Sequence, residues 1–337
     1  MITVFGINSG KLVPLGDTLD RMDEAVWIDL FRPTPEEESL VEQQAGLDVP
    51  TREEMLEIEL SSRLYEEAGA TFMTANILSH TDSDDVVVSP ITFIVLGNRL
   101  ITVRYEDPRT FGAFTARGQR VGIACPSPGG IAVGLLEASI ERLADVLERT
   151  THDLEVLSRD IFRPGKAASA ATDDKATPKQ KIVVRATDFQ RVLVGVGRKG
   201  DLVSHVRDSL ITIRRLCTFF LTAMTDKKTS KDVITRVKTL ARDVESLSDH
   251  ATFQSQKVNF LLDATLGMIN IEQNAIIKIF SVAAVVFLPP TLIASIYGMN
   301  FDFMPELKWP VGYPFAIGLM IMSAILPYLF FKRRGWL

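Results

Sequence analysis

The chain of 337 residues has only two cysteines and four histidines. Cys125 and Cys217 show no paired spacing, which excludes a disulfide framework and makes a reduced, cytosolic setting the default. His80, His152, His205 and His250 are scattered without metal-ligand spacing, so no zinc centre is read from them. "GVGRKG" at 195–200 lacks the Walker pattern, no G-x-S-x-G elbow occurs, and no basic–aromatic interleaving points to nucleic acid. The opening "MITVFGINSGKLV" lacks the basic n-region and long apolar core of a secretory signal. Without an enzyme signature, the weight falls on transport, binding or scaffolding.

Charge is also missing, in two specific places. Between Lys278 and Asp302 lie 23 uncharged residues, "IFSVAAVVFLPPTLIASIYGMNF", and between Lys308 and Lys332 another 23, "WPVGYPFAIGLMIMSAILPYLFF". A helix needs roughly 20 such residues to cross the hydrocarbon core. Lys278 precedes the first run, and Lys332, Arg333 and Arg334 follow the second. The short connection carries Asp302, Glu306 and Lys308. The positive-inside rule therefore puts both ends of the hairpin in the cytoplasm, and Trp309, Tyr313, Tyr328 and Trp336 fall where an aromatic belt sits. Two such runs with basic ends are hard to bury in a soluble globule of this length. Pro289-Pro290 bends the first span; neighbouring helices or water satisfy the carbonyls this frees.

The rest of the chain reads as soluble. Residues 1–160 carry 28 acidic and 13 basic side chains, and residues 161–337 carry 14 and 24, so an acidic first part precedes a basic second. "EAVWIDLFRP", "ATFMTANIL", "SPITFIVLGN" and "RLITVRYED" are β-branched and aromatic runs between turn residues. "TPEEESLVEQQAGL" and "TREEMLEIELSSRLYEEA" read as helices with N-terminal signals, and their glutamates read as solvated faces. From Gly134 the pattern is long and helical, broken at "RPGKAASAATDDKATPKQK", resumed from about Ala186 to Thr225, and resumed again near Ser230. In this last stretch Val233, Val237, Leu240, Val244, Leu247, Ala251, Val258 and Leu261 recur every three or four residues. No proline interrupts it before Pro289, so one helix of about 100 Å leads into the first span, and a helix that long favours self-association.

These readings divide the chain into a cytoplasmic α/β domain at 1–133, long helices at 134–229 with a flexible connection near 164–182, and a stalk helix at 230–278. The first span follows at 279–301, the outer loop at 302–308, the second span at 309–331 and a basic tail at 332–337. On the first span, Asn274, Ile277, Phe280 or Ser281, Ala284, Leu288, Thr291 and Ser295 share one side of a helix. Copies of this face around an axis would form a pore, with Asn300 at its mouth, Thr291 hydroxyls within, and Leu288, Phe280 and Ile277 as an apolar constriction that gates by dewetting. The face has no charge within the membrane. That suits an ion admitted with its water, as Mg2+ is, because it dehydrates reluctantly.

"YGMN" at Tyr297–Asn300, closing the first of two C-terminal spans, resembles the signature of the CorA family of magnesium and cobalt transporters. "MPELKWPVGYP" is similar to that family's outer loop, "FKRRGWL" to its basic end, and the stretch from Lys257 to Asn300 to its stalk and first span. The resemblance implies an α+β homopentameric funnel whose α/β/α cytoplasmic domain leads into a stalk continuous with the pore helix, in the bacterial inner membrane with both termini cytoplasmic. It implies Mg2+ influx, with Co2+ and Ni2+ also carried, and a selectivity filter of Gly298, Met299 and Asn300. Glu306 would attract cations, Asp263 would lie low in the pore, and Lys332, Arg333 and Arg334 would contribute to a basic collar. In some family members Mg2+ bridging acidic residues between cytoplasmic domains holds the pore closed. Here Thr239 aligns with one such ligand and Asp243 lies one turn on, so Asp243 is the regulatory candidate.

Three alternatives stand beside this reading: a zinc transporter of the related ZntB branch, which usually lacks the "MPEL" loop, a membrane-tethered scaffold, and a membrane-anchored enzyme. Partners expected are the chain itself, the bilayer and divalent cations, with no nucleic acid and no enzyme activity.

Overall fold

The computed structural model describes residues 1–17, 19–83, 85–162, 178–225, 230–299, 304–305 and 309–334. The strands are β1 (Ile2–Asn8), β2 (Lys11–Gly16), β3 (Trp27–Phe31), β4 (Leu64–Glu67), β5 (Ala70–Ser79), β6 (Val87–Leu96) and β7 (Arg99–Arg104). The helices are α1 (Pro35–Ala45), α2 (Arg52–Leu56), α3 (Arg109–Arg120), α4 (Pro128–Phe162), α5 (Pro178–Thr225), α6 (Lys231–Tyr297) and α7 (Gly312–Arg333).

The strands form one mixed sheet in the order β2-β1-β3-β7-β6-β5-β4, in which only β3 and β7 pair in parallel. Alternation of side chains gives the sheet two apolar faces. Ile28, Leu30, Phe72, Ile94 and Ile101 face a core shared with Val41 of α1 and Met55 of α2. Trp27, Met73, Phe93 and Leu100 face a larger core shared with α3, α4, α5 and α6. The arrangement is α/β/α, as the sequence implied.

Local signals explain the elements. Thr34 accepts from Glu37 N at 3.3 Å, and Glu37 Oε2 accepts from Thr34 N at 2.9 Å, a reciprocal cap that starts α1. Gly46, with φ 70°, ends it in the left-handed region that glycine enters without strain. Gly130 packs so closely that a Cβ there would stand 2.1 Å from Cys125 O.

The sequence reading of a helix from Thr51 to Ala68 is corrected. Only Arg52–Leu56 is α-helical, and Leu64–Glu67 pairs antiparallel with β5. Tyr65 stacks on Phe72 at 4.6 Å, so aromatic cross-strand packing outweighs the helix propensity of the glutamates. The connection read near 164–182 falls outside the described residues up to 177, and 178–182 belong to α5. β1, β2 and α3 are elements the sequence reading did not mark.

The chain divides into two compact units, residues 1–176 with 190–262, and residues 177–189 with 263–337. α6 runs unbroken from one to the other through Pro289 and Pro290. In the first unit, Val233, Val237, Leu240, Val244, Leu247, Ala251, Gln254, Val258 and Leu261 recur at alternating steps of four and three, and all but the partly buried Leu247 are buried. This is the seam of a helix packed in a bundle.

Candidate ion-pathway face on the apolar helices

The second unit contains two helices long and apolar enough to cross a membrane, α6 and α7, and only 6% of each apolar window is buried. Within one chain both windows are exposed, unlike the core helices of a soluble globule, which hide most of their surface.

α6 has two unlike sides here. Val282 is buried, and Ala283, Val286, Pro289, Pro290, Ile293 and Tyr297 are partly buried. At about 100° per residue these lie nearly opposite Ile277, Ser281, Ala284, Leu288, Thr291 and Ser295. Every residue of the face read from the sequence is exposed within one chain: Asn274, Ile277, Phe280, Ala284, Leu288, Thr291 and Ser295. Phe280 is 71% exposed and Leu288 66%. Asn274 to Ser295 covers about 30 Å of helix axis at 1.5 Å per residue, the thickness of a hydrocarbon core. Thr291 Oγ1 donates to Phe287 O at 2.8 Å, so its lone pairs point away from the helix backbone.

Near its end, Gly298 N donates to Ala294 O at 2.9 Å and Met299 N to Ile296 O at 3.2 Å, which closes the last turn. A Cβ on Gly298 would come within 3.1 Å of Ala294 O, so the tight turn favours glycine. Met299 is exposed. Asn300 and Glu306 lie outside the described residues.

α7 has its own half-buried side, on which Gly312 and Ala316 are buried. Small residues there permit close helix approach. Lys332 and Arg333 sit in its last turn and Arg334 caps it; Arg334 lies over the Phe330 ring at 5.5 Å. Cations at a helix C-terminus suit its dipole.

Asp263 is exposed on α6 in the second unit, and Asp243 is exposed on α6 in the first. Thr239 Oγ1 donates to Thr235 O at 3.2 Å. Among the described residues no three His, Cys, Asp or Glu side chains gather where they would hold a metal ion.

Two polar clusters escaped the sequence reading. At the sheet centre, Trp27 Nε1 donates to Thr102 Oγ1 at 2.9 Å, and Thr102 Oγ1 donates to Asp29 Oδ1 at 2.7 Å. Arg104 Nη2 donates to Asp29 Oδ2 at 3.0 Å, and its guanidinium lies between the rings of Phe31 and Phe111. The loop after β5 presents Asp82 to Arg109, Arg142 and Arg149. Hydrogen bonds from these arginines bring the Asp82 carboxyl down to about 2.

A sheet-and-helix unit and two exposed apolar helices in one chain are the build of a membrane protein. The sequence profile of the family described as "CorA-like Mg2+ transporter protein" matches residues 22–333. A curated relative from Haemophilus influenzae, "Magnesium transport protein CorA", is 36% identical over 337 residues, covering all of both chains. A relative of the same description from Mannheimia succiniciproducens is 35% identical over 340 residues, again covering all of both chains. Among solved structures, the complete CorA magnesium transporter of Methanocaldococcus jannaschii matches 100% of this chain and 99% of its own, with TM-score 0.70 and 18% identity. The ZntB cytoplasmic domain of Vibrio parahaemolyticus covers 80% of this chain and 97% of its own, with TM-score 0.55 and 11% identity. The chain belongs to the CorA family.

Proposed function

We propose that this protein is a divalent-cation channel that admits Mg2+ across the bacterial inner membrane, passes Co2+ and Ni2+, and works as a homopentamer with both termini in the cytoplasm. The observation that carries the reading is the sidedness of α6. The face that ends in Thr291 and Ser295 is exposed in one chain and lies opposite the partly buried stripe. Five copies of that face around an axis make a lined pathway.

In this reading residues 1–133 are the cytoplasmic α/β domain, 134–229 the long helices, 230–278 the stalk, 279–301 and 309–331 the spans, 302–308 the outer loop and 332–337 the basic tail. Gly298, Met299 and Asn300 form the outer filter. The amide oxygens of Asn300 hold an ion through its water shell, which Mg2+ releases reluctantly. Five copies of Glu306 raise the local cation concentration. Leu288, Phe280 and Ile277 form a constriction that conducts only when wetted. Asn274 and Asp263 meet the ion towards the cytoplasm, Lys332, Arg333 and Arg334 form the basic collar, and Asp243 contributes to a regulatory Mg2+ site between subunits.

The second reading is Zn2+ transport of the ZntB type, whose cytoplasmic domain shares this fold. Flux into liposomes holding only the purified protein decides between them. The channel reading expects Mg2+ to enter down its gradient and Asn300→Ala to stop it while the oligomer still assembles. Zn2+ entry that needs a proton gradient, without Mg2+ entry, would move the protein to the second reading. Normal Mg2+ entry through Asn300→Ala would remove the filter assignment.

A further inference from the structure

Where β4 stops at Leu64, the edge of β5 is left open, and α5 takes over. Thr74 N still reaches Arg63 O at 2.9 Å. Two residues on, Asn76 N donates to Thr212 Oγ1 at 2.9 Å and Asn76 O accepts from Ser209 Oγ at 2.6 Å. Helix side chains thus satisfy the backbone of a strand that has lost its neighbour. The same register explains Pro90. It stands opposite Asn76 and beyond Ile91, the first β6 residue paired with β7, so its missing N–H removes no ladder bond.

A helix beside an edge that a strand no longer fills leaves space, and a cavity of about 330 Å³ lies there. Its walls combine Arg63, Arg215, Asn76 and Asp208 with the apolar Ile58 and Ile211. Arg63 is fixed rather than loose: Nε donates to Glu57 O, Nη1 to Asn76 Oδ1 at 3.3 Å and Nη2 to Leu56 O at 3.5 Å. Asn76 Nδ2 in turn donates to Asp208 Oδ2 at 2.9 Å. Burial lowers the pKa of Arg63 from its ordinary value; the Asp208 charge opposes that, and the charge of Arg215 adds to it. Two guanidiniums therefore share one cavity with a single carboxylate, and that carboxylate is already held by an amide. The Arg215 side chain makes no hydrogen bond or ion pair among the described residues. Ile58 is 90% exposed and offers an apolar surface beside these polar groups.

We infer that this cavity binds a small organic phosphate, with the phosphate between Arg63 and Arg215 and a flat apolar group against Ile58 and Ile211. Guanidinium forks match phosphate oxygens in pairs. A volume of this size is at the lower end for small-molecule sites with apolar walls and a few convergent polar groups. The carboxylate of Asp208, tied to Asn76, keeps Arg63 in position and leaves the cavity one positive charge for the ligand. All of these residues belong to the first compact unit.

The test is calorimetric titration of the full-length protein in lipid nanodiscs with adenosine monophosphate, inorganic phosphate and adenosine. Saturable binding of the nucleotide tighter than about 1 mM, with weaker binding of inorganic phosphate and none of adenosine, is the expected result. Arg215 is exposed on α5, so Arg215→Glu leaves the fold intact, which an unchanged melting temperature checks. Losing a charge-assisted contact should weaken nucleotide binding at least about tenfold, with Arg215→Lys between the two. Binding of inorganic phosphate as tight as that of the nucleotide overturns the apolar half of the site. Adenosine binding as tight as the nucleotide, no saturable binding, or binding that Arg215→Glu leaves unchanged overturns the site.

Discussion

Arg104 illustrates how much one side chain holds. It is 8% exposed and bonds Asp29 with two of its nitrogens, while Nη1 reaches Asp107 Oδ1 at 2.6 Å. Removing one partner of a buried pair strands the other charge, which costs about 3–5 kcal/mol. Arg104→Met should lose that much in chemical denaturation, and adding Asp29→Asn should restore part of it. A loss below about 1 kcal/mol would mean that water reaches Asp29. Asp82 is a surface counterpart. Its carboxyl is lowered from 3.8 to about 2 in the folded state. The folded form therefore binds fewer protons than the unfolded chain between these values, so the contribution is present above about pH 4 and lost as pH falls through about 2. The gap in melting temperature between the wild type and Asp82→Asn should close over that window. A gap that stays constant from about pH 5 to about pH 2 would mean that the arginines do not hold the carboxylate.

α6 was the most legible element, for two physical reasons. Its apolar positions keep one period from Val233 onward, and its span has no charge to break the reading. Leu240 is 4% exposed on the seam and Thr239 beside it is exposed. Leu240→Ala should therefore cost about 2–5 kcal/mol, and Thr239→Ala under about 0.5 kcal/mol, in the same denaturation assay. Gln254 shows what periodicity cannot display. It is polar yet 1% exposed, because its Nε2 donates to Leu147 O and Thr151 Oγ1, both at 2.7 Å, on a helix distant in sequence. Glu66 and Glu67 favour a helix locally, whereas the Tyr65–Phe72 stack that makes β4 a strand is a tertiary contact. β1 and β2 escaped because their hairpin depends on Ser9 and Gly10 at positive φ, not on a strong alternation. The Asp29–Arg104 and Arg63–Arg215 groups join residues about 75 and 150 positions apart, so no local pattern announces them.

At the scale of the whole molecule, the legible part of the candidate site is the part written in helix periodicity. Asn274 to Ser295 falls on one face, and the structure leaves that face exposed, opposite the stripe from Val282 to Tyr297. The unread part depends on neighbouring copies, which a single sequence does not display. If five copies meet around this face, widening the constriction should matter more than changing its surroundings. Leu288→Ala should raise resting Mg2+ entry several-fold, because a shorter apolar wall wets more readily, whereas Val282→Ala on the buried side should leave it within about twofold of the wild type. The most direct measurement is block of Mg2+ flux by a water-soluble, positively charged thiol reagent on single cysteines introduced after Cys125 and Cys217 are replaced. Reagent at T291C or S295C is expected to stop Mg2+ entry into liposomes, while the same reagent at V286C or I293C leaves it unchanged. Block at V286C and I293C with free flux at T291C and S295C would contradict it, because the ion would then pass along the other side of the helix.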